Sequence, residues 1–104
     1  MIADIFSKIS REEKSHASAF YKFFEGGVVE VTTSFPAVKV TDTKSNLEAS
    51  IKGENATWTN RYPDFEQTAR EEGFFKIADI FQRFADSEKK HEEKFKKSFE
   101  ELKR

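Results

Sequence analysis

The stretch Ile-Ala-Asp-Ile-Phe at residues 77–81 also occurs at residues 2–6, and both copies lead into a Glu-x-x-His motif. The motifs are Glu13 with His16, and Glu88 with His91. Pentapeptide and motif keep the same offset of 75 residues between the copies (77 − 2 and 88 − 13). Self-similarity of this kind indicates a repeated structural unit. The repeat therefore predicts two equivalent helices that each carry metal-binding residue types.

Apolar residues recur in both copies at the three-and-four spacing of an amphipathic helix. They are Ile2, Ile5, Phe6 and Ile9 in the first copy and Ile77, Ile80, Phe81 and Phe84 in the second. The Glu and His of each motif continue the same stripe, so we expect them to face the core. A buried carboxylate costs several kcal/mol unless it is paired or coordinates a cation. A bound metal ion would remove that cost.

Composition limits the classes of function. The 104 residues correspond to one domain, residues 1–104, with 36% charged residues and a net charge of −1. This balance argues against nucleic acid and anionic membrane surfaces as partners. Because the chain has no Cys, thiol catalysis and iron–sulfur clusters are excluded, and any metal must bind Glu, Asp or His. No apolar run has the length of a membrane span, so we expect a soluble, cytoplasmic protein.

Turn signals divide the chain into three helices. Gly26-Gly27 should end the first helix, and residues 28–40, which are rich in Val and Thr and contain Phe35-Pro36, read as an extended crossover. Ser45 with Glu48 fits a capping box at the start of the second helix, although Asp42 or Thr43 would also serve as the cap.

The second helix presents Glu54 as a third carboxylate in phase with its apolar face. That face consists of Leu47, Ile51, Trp58, Tyr62, Phe65 and Ala69. Pro63 predicts a kink or local break over residues 61–64. Gly73 should end the helix in a tight turn, and the third helix should run to about Leu102. The expected fold is an all-α bundle of three long helices.

Several of these motifs together resemble one family. Residues 47–102 resemble the second helical pair of rubrerythrins, and residues 1–24 are similar to that family's second helix. The motifs that carry the resemblance are Gly53-Glu54, Trp58, Tyr62-Pro63, Ala69-Arg70-Glu71-Glu72-Gly73-Phe74, Glu88-Lys89-Lys90-His91 and Glu13-Lys14-Ser15-His16. The resemblance implies a ferritin-like di-iron domain whose relatives reduce peroxide.

The resemblance also implies roles for residues of this chain. The metal ligands would be Glu13, His16, Glu54, Glu88 and His91. Glu13, Glu54, Glu88 and Tyr62 would be the catalytic residues, with Tyr62 matching a tyrosine that hydrogen-bonds a ligand. The implied cofactor is a pair of iron ions, although the same ligands also suit manganese or zinc.

Three departures from the family pattern shape the expected assembly. The family's opening helix has no counterpart before Met1, so we expect an N-terminally truncated domain whose site is incomplete within one chain. A homodimer, domain-swapped through the crossover at residues 26–42, would complete the bundle. Thr57 stands where the family has a further Glu. The rubredoxin-like tail is missing, which implies an external electron donor such as a rubredoxin.

Other interpretations of the same residues remain open. The chain could be a metal-binding or structural helical oligomer without turnover, or could oxidise iron for storage. Trp58 and Tyr62 fit core aromatics as well as residues that support metal ligands. Asp4 and Asp79 are expected at the surface rather than at a metal. Residues 88–104 fit a solvated helix face with ion pairs such as Glu92 with Lys96.

Overall fold

Helices are the only regular secondary structure among the residues that the computed structural model describes, which are 1–28, 30, 32, 34 and 38–103. They are α1 (Ile2–Tyr21), α2 (Thr43–Ala56), a π-helical segment (Thr57–Arg61), α3 (Tyr62–Glu71) and α4 (Phe75–Leu102). From α2 to α3 the helix continues without interruption, so the predicted all-α fold with three long helices is confirmed. None of the described helices is long and apolar enough to span a membrane.

The chain forms two compact units, Met1–Val40 and Thr41–Arg104. In the first unit α1 ends at Tyr21, five residues before the predicted end at Gly26. Phe23 and Phe24 donate their backbone N–H groups to the carbonyls three residues earlier, which is the hydrogen-bonding pattern of a 3₁₀ turn. The α-helix therefore ends before Gly26 and Gly27. The two glycines then have φ of 99° and 83°. Phe35-Pro36 of the predicted crossover lies outside the described residues.

In the second unit Asp42, rather than Ser45, caps α2. The Asp42 carboxylate accepts a hydrogen bond of 2.8 Å from the backbone N–H of Ser45, which satisfies one of the free donors of the first turn. That bond lowers the pKa of Asp42 below its ordinary value. Asp42 can act as the cap because it lies three residues before Ser45, and at this spacing a side chain before the helix reaches a free N–H group of the first turn.

The predicted break at Pro63 is instead a widening of the helix one turn earlier. Residues Thr57–Arg61 form a π-helical turn, and the N–H of Tyr62 donates to the carbonyl of Thr57. Pro63 follows directly after this wider turn, as the second residue of α3, and has no N–H group to donate to the helix. A proline ring clashes with the carbonyl four residues before it, so the distortion falls on the preceding turn rather than on residues 61–64.

A Schellman motif joins α3 to α4. Gly73 has φ of 84°, its N–H donates to the carbonyl of Arg70 at 3.1 Å, and the N–H of Phe74 donates to Ala69 at 2.7 Å. The Arg70 guanidinium reaches across the turn to Asp79 at 3.1 Å. α3 and α2 both pack on α4. The reversal at Gly73 confirms the predicted tight turn, and α4 ends at Leu102 as predicted.

Candidate metal centre

The Glu-x-x-His motif of α4 lies inside the second unit. The side chains of Glu88 and His91 are 3% and 1% exposed, although both residue types are usually solvated. They lie three positions apart on one helix face, and the Nδ1 atom of His91 is 3.7 Å from the Oε2 atom of Glu88. The sequence prediction that this motif faces the core is therefore confirmed.

Glu54 of α2 joins this pair from the neighbouring helix. Its Oε2 atom lies 3.7 Å from Nδ1 of His91, and its side chain is 13% exposed. Glu54, Glu88 and His91 each offer one ligand atom, and these atoms lie within 4.8 Å of one another. We refer to these three residues as the carboxylate–histidine cluster. The structure thus brings together all the predicted ligands of the second unit.

The chemistry of the cluster fits a metal ion. Within the described part of the chain, the Oε2 atom of Glu54 is buried and has no hydrogen-bond partner, which is costly for a carboxylate oxygen. Two carboxylates at this separation also repel one another in a medium of low dielectric constant. A divalent cation would satisfy the Glu54 oxygen and compensate both charges. Two carboxylates with one imidazole suit iron, manganese and zinc.

The first unit repeats the same pair on α1. His16 and Glu13 lie three positions apart, with the Nδ1 atom of His16 at 3.9 Å from Oε2 of Glu13. Their side chains are 12% and 38% exposed. The duplicated sequence therefore folds twice into the same local arrangement of carboxylate and imidazole on a helix.

The remaining residues singled out from the sequence have identified neighbours. The half-buried ring of Tyr62 packs against Phe81, with ring centroids 5.5 Å apart. The Thr57 hydroxyl donates to the carbonyl of Gly53 at 2.9 Å, one turn back along the helix. Asp79 pairs with Arg70, and the Asp4 side chain is 84% exposed. The surface roles predicted for Asp4 and Asp79 are thus confirmed.

The prediction that Glu92 and Lys96 form a solvated ion pair is wrong about the exposure of Glu92. Its Oε2 atom is 3.1 Å from Nζ of Lys96, as the spacing predicts, but Glu92 is only 4% exposed. The indole Nε1 of Trp58 donates to Oε1 of the same carboxylate at 3.3 Å. Burial raises the pKa of Glu92, but the hydrogen bonds from Lys96, Asn55 and Trp58 outweigh it, so that the pKa lies below its ordinary value. The available sequence signal was its place four residues after Glu88, on the buried face.

Comparison with known proteins agrees with this site. The family model described as rubrerythrin matches residues 1–99. Rubrerythrin from Porphyromonas gingivalis is 46% identical over 94 residues, which cover 90% of this chain and 47% of the relative. Rubrerythrin from Nitratidesulfovibrio vulgaris is 44% identical over 94 residues, 90% of this chain and 49% of the relative.

A third relative, rubrerythrin-1 from Clostridium acetobutylicum, is 40% identical over 98 residues, which are 90% of this chain and 50% of that protein. The chain spans about half the length of the curated relatives that it matches. The match to the family model covers nearly the whole chain and includes all five predicted ligands. The chain therefore belongs to the rubrerythrin family of di-iron carboxylate proteins.

Proposed function

We propose that this chain binds two iron ions and reduces hydrogen peroxide to water with electrons from an external donor, in the manner of its family. The observation that carries the proposal is the buried carboxylate–histidine cluster, whose ligand atoms lie within 4.8 Å of one another. Family membership over residues 1–99 supports iron as the metal. The ligands in this proposal are Glu13, His16, Glu54, Glu88 and His91.

The proposed roles of the residues follow from their chemistry. Glu54 and Glu88 would neutralise the metal charge, and the His91 imidazole would be a neutral nitrogen ligand. Bound iron would supply redox electrons and an open coordination position for peroxide. Reduction of each peroxide consumes two electrons and two protons and yields two water molecules. By likeness to the family, the Tyr62 hydroxyl would hydrogen-bond a ligand and hold its orientation.

The proposal includes partners and a location. Electrons would come from an external donor such as a rubredoxin. We also propose a homodimer, domain-swapped through the crossover, in which each copy completes the bundle of the other. Exposed aromatic side chains support association, since Phe65, Phe74 and Phe75 are 49%, 55% and 62% exposed. We expect this activity in the cytoplasm.

Replacement of one ligand tests the proposal directly. We expect the purified protein, loaded anaerobically with ferrous iron, to hold close to two iron ions per completed site. Glu88→Ala should lower iron affinity by more than about 100-fold, because it removes a charged ligand itself, whereas loss of a residue that only orients a ligand already costs about 10 to 100-fold. Glu93→Ala is the matched control, since Glu93 has the same chemistry on the same helix but is exposed. Elemental analysis and the optical spectrum of the bound iron would measure the difference.

Turnover is a second readout on the same samples. Addition of hydrogen peroxide should oxidise the iron and, with a reductant present, consume that reductant in proportion to the peroxide added. Iron binding without reductant consumption would instead favour a metal-binding helical assembly. A wild-type chain that holds no metal after anaerobic loading would contradict the proposal as a whole.

A further inference from the structure

A second buried carboxylate lies beside the cluster on α4. Glu92 is 4% exposed, follows His91 directly and lies one turn after Glu88. Both of its oxygens have partners: Oε1 accepts from the indole Nε1 of Trp58 at 3.3 Å, and Oε2 lies 3.1 Å from the ammonium group of Lys96. Since these partners use the oxygens that a metal would need, Glu92 is not itself placed as a ligand.

One partner of Glu92 comes from the helix that carries Glu54. Trp58 is four residues, about one turn, after Glu54 in the continuous helix that runs from α2 to α3. The ammonium group of Lys89 lies over the Trp58 ring, 5.3 Å from its centre, at the distance of a cation–π contact. We call Glu92, Trp58 and Lys96 the Glu92 network.

We propose that Glu92 is a positioning residue, which ties the helix of Glu54 to the helix of Glu88 and His91 and so sets the distance between the metal ligands. The inference rests on the proposed metal binding. The ligands come from two helices, so their separation depends on contacts between α4 and the α2 segment close to the site. A buried carboxylate with several donors is costly to disturb and therefore holds its partners in one arrangement.

Four variants separate positioning from general stability. Glu92→Ala removes every bond of the network, whereas Glu92→Gln keeps an oxygen that accepts from the Trp58 indole. Trp58→Phe removes the indole donor and keeps an aromatic ring. Ala78→Gly is the structural control, because Ala78 is fully buried on α4 but lies outside the network, and glycine at this position weakens the helix.

The probe is the cobalt(II) ion, whose binding is followed by its visible absorption in each variant, with the thermal unfolding midpoint measured alongside. The chain has a single Trp, so the change in Trp fluorescence on cobalt binding reports on Trp58 directly in the wild type. We expect Glu92→Ala to weaken cobalt binding by about 10 to 100-fold, as loss of groups that orient metal ligands typically does, and Trp58→Phe by about 10-fold. Glu92→Gln and Ala78→Gly should remain within about threefold of the wild type.

Three results would overturn the inference while leaving the proposed function intact. The first is a cobalt affinity of Glu92→Ala equal to that of the wild type. The second is a loss of cobalt affinity in Glu92→Gln as large as in Glu92→Ala. The third is an equal loss of cobalt affinity in Ala78→Gly and Glu92→Ala when the two variants have similar unfolding midpoints. A wild-type chain that binds neither cobalt nor iron would overturn the proposed function, and the positioning role with it.

Discussion

At the scale of single residues, the second unit places ionisable groups where apolar side chains would be more stable. Glu88 and His91 are almost fully buried, and Glu92 is 4% exposed beside them. Replacing buried charged groups with apolar residues of similar volume is often neutral or stabilising, so these groups are not explained by stability alone. Their clustering with Glu54 across two helices is explained by metal binding.

The sequence predicts which of these side chains face the core of the second unit, but not the environment of Glu92. The Glu-x-x-His spacing is local and repeats in phase with the apolar positions, so the side chains that share a face follow directly from helix geometry. Glu92 followed by Lys96 has the spacing of an ordinary surface ion pair, and nothing in that spacing indicates burial. The difference comes from Trp58, which is 34 positions away in sequence and meets Glu92 only in the folded chain.

Acid should weaken the cap of α2 through a single residue. The folded pKa of Asp42 lies below its ordinary value of 3.8, because the ionised carboxylate accepts the N–H of Ser45. Because the pKa of Asp42 is lower in the folded than in the unfolded chain, its ionised carboxylate stabilises the fold at pH values above the unfolded pKa. This stabilisation is lost as the pH falls through the pKa of the folded state. Asp42→Asn, which still caps but does not titrate, should lose less stability than the wild type below about pH 4.

Thermal unfolding followed by circular dichroism between about pH 3 and pH 7 would measure this effect. Asp42→Ala is the reference without a cap, and its unfolding midpoint should lie below that of Asp42→Asn across the range. If Asp42→Asn and the wild type lose stability in parallel on acidification, Asp42 is not the titrating group.

At the scale of secondary-structure elements, local signals locate the helices well and their ends less well. Gly73 is correctly predicted as a helix end because a tight turn to α4 requires a left-handed residue there. Gly26 is not the end of α1. Glycine permits a left-handed conformation after a helix, but it does not require the helix to extend as far as the glycine. Pro63 predicts a break, whereas a single π-helical turn absorbs its effect and keeps the helix continuous.

The two glycines of the second unit should respond to alanine in opposite directions. Gly73 has φ of 84°, so Gly73→Ala should destabilise the chain by about 1 kcal/mol. Gly53 is helical, and apart from its chain neighbours and the backbone of its own helix a Cβ atom added there would meet nothing within 4 Å, so Gly53→Ala should stabilise the chain by about 0.5–1 kcal/mol. Urea unfolding of both variants would test this pair, and equal effects would contradict the assigned turn.

At the scale of the whole molecule, the described residues expose many of their large apolar side chains. Among the described residues, the buried apolar side chains are those of Ile9, Leu47, Ala69, Ala78 and Phe95. By contrast, both Phe74 and Phe75 at the start of α4 are more than half exposed. They lie next to a groove of about 270 Å³ lined by Phe65, Phe74, Ile77 and Phe81, among others. Apolar surface of this kind favours association with another chain.

The proposed homodimer follows from that exposure and can be tested without knowledge of its interface. A stable dimer buries about 800 Å² of each partner, so a dimeric chain should unfold at a temperature that rises with protein concentration. Light scattering at micromolar concentration should give twice the 12.1 kDa mass of one chain. Because each copy would complete the site of the other, dilution to monomer should also release bound metal. A mass of one chain, together with an unfolding midpoint that does not change with concentration, would rule out the dimer.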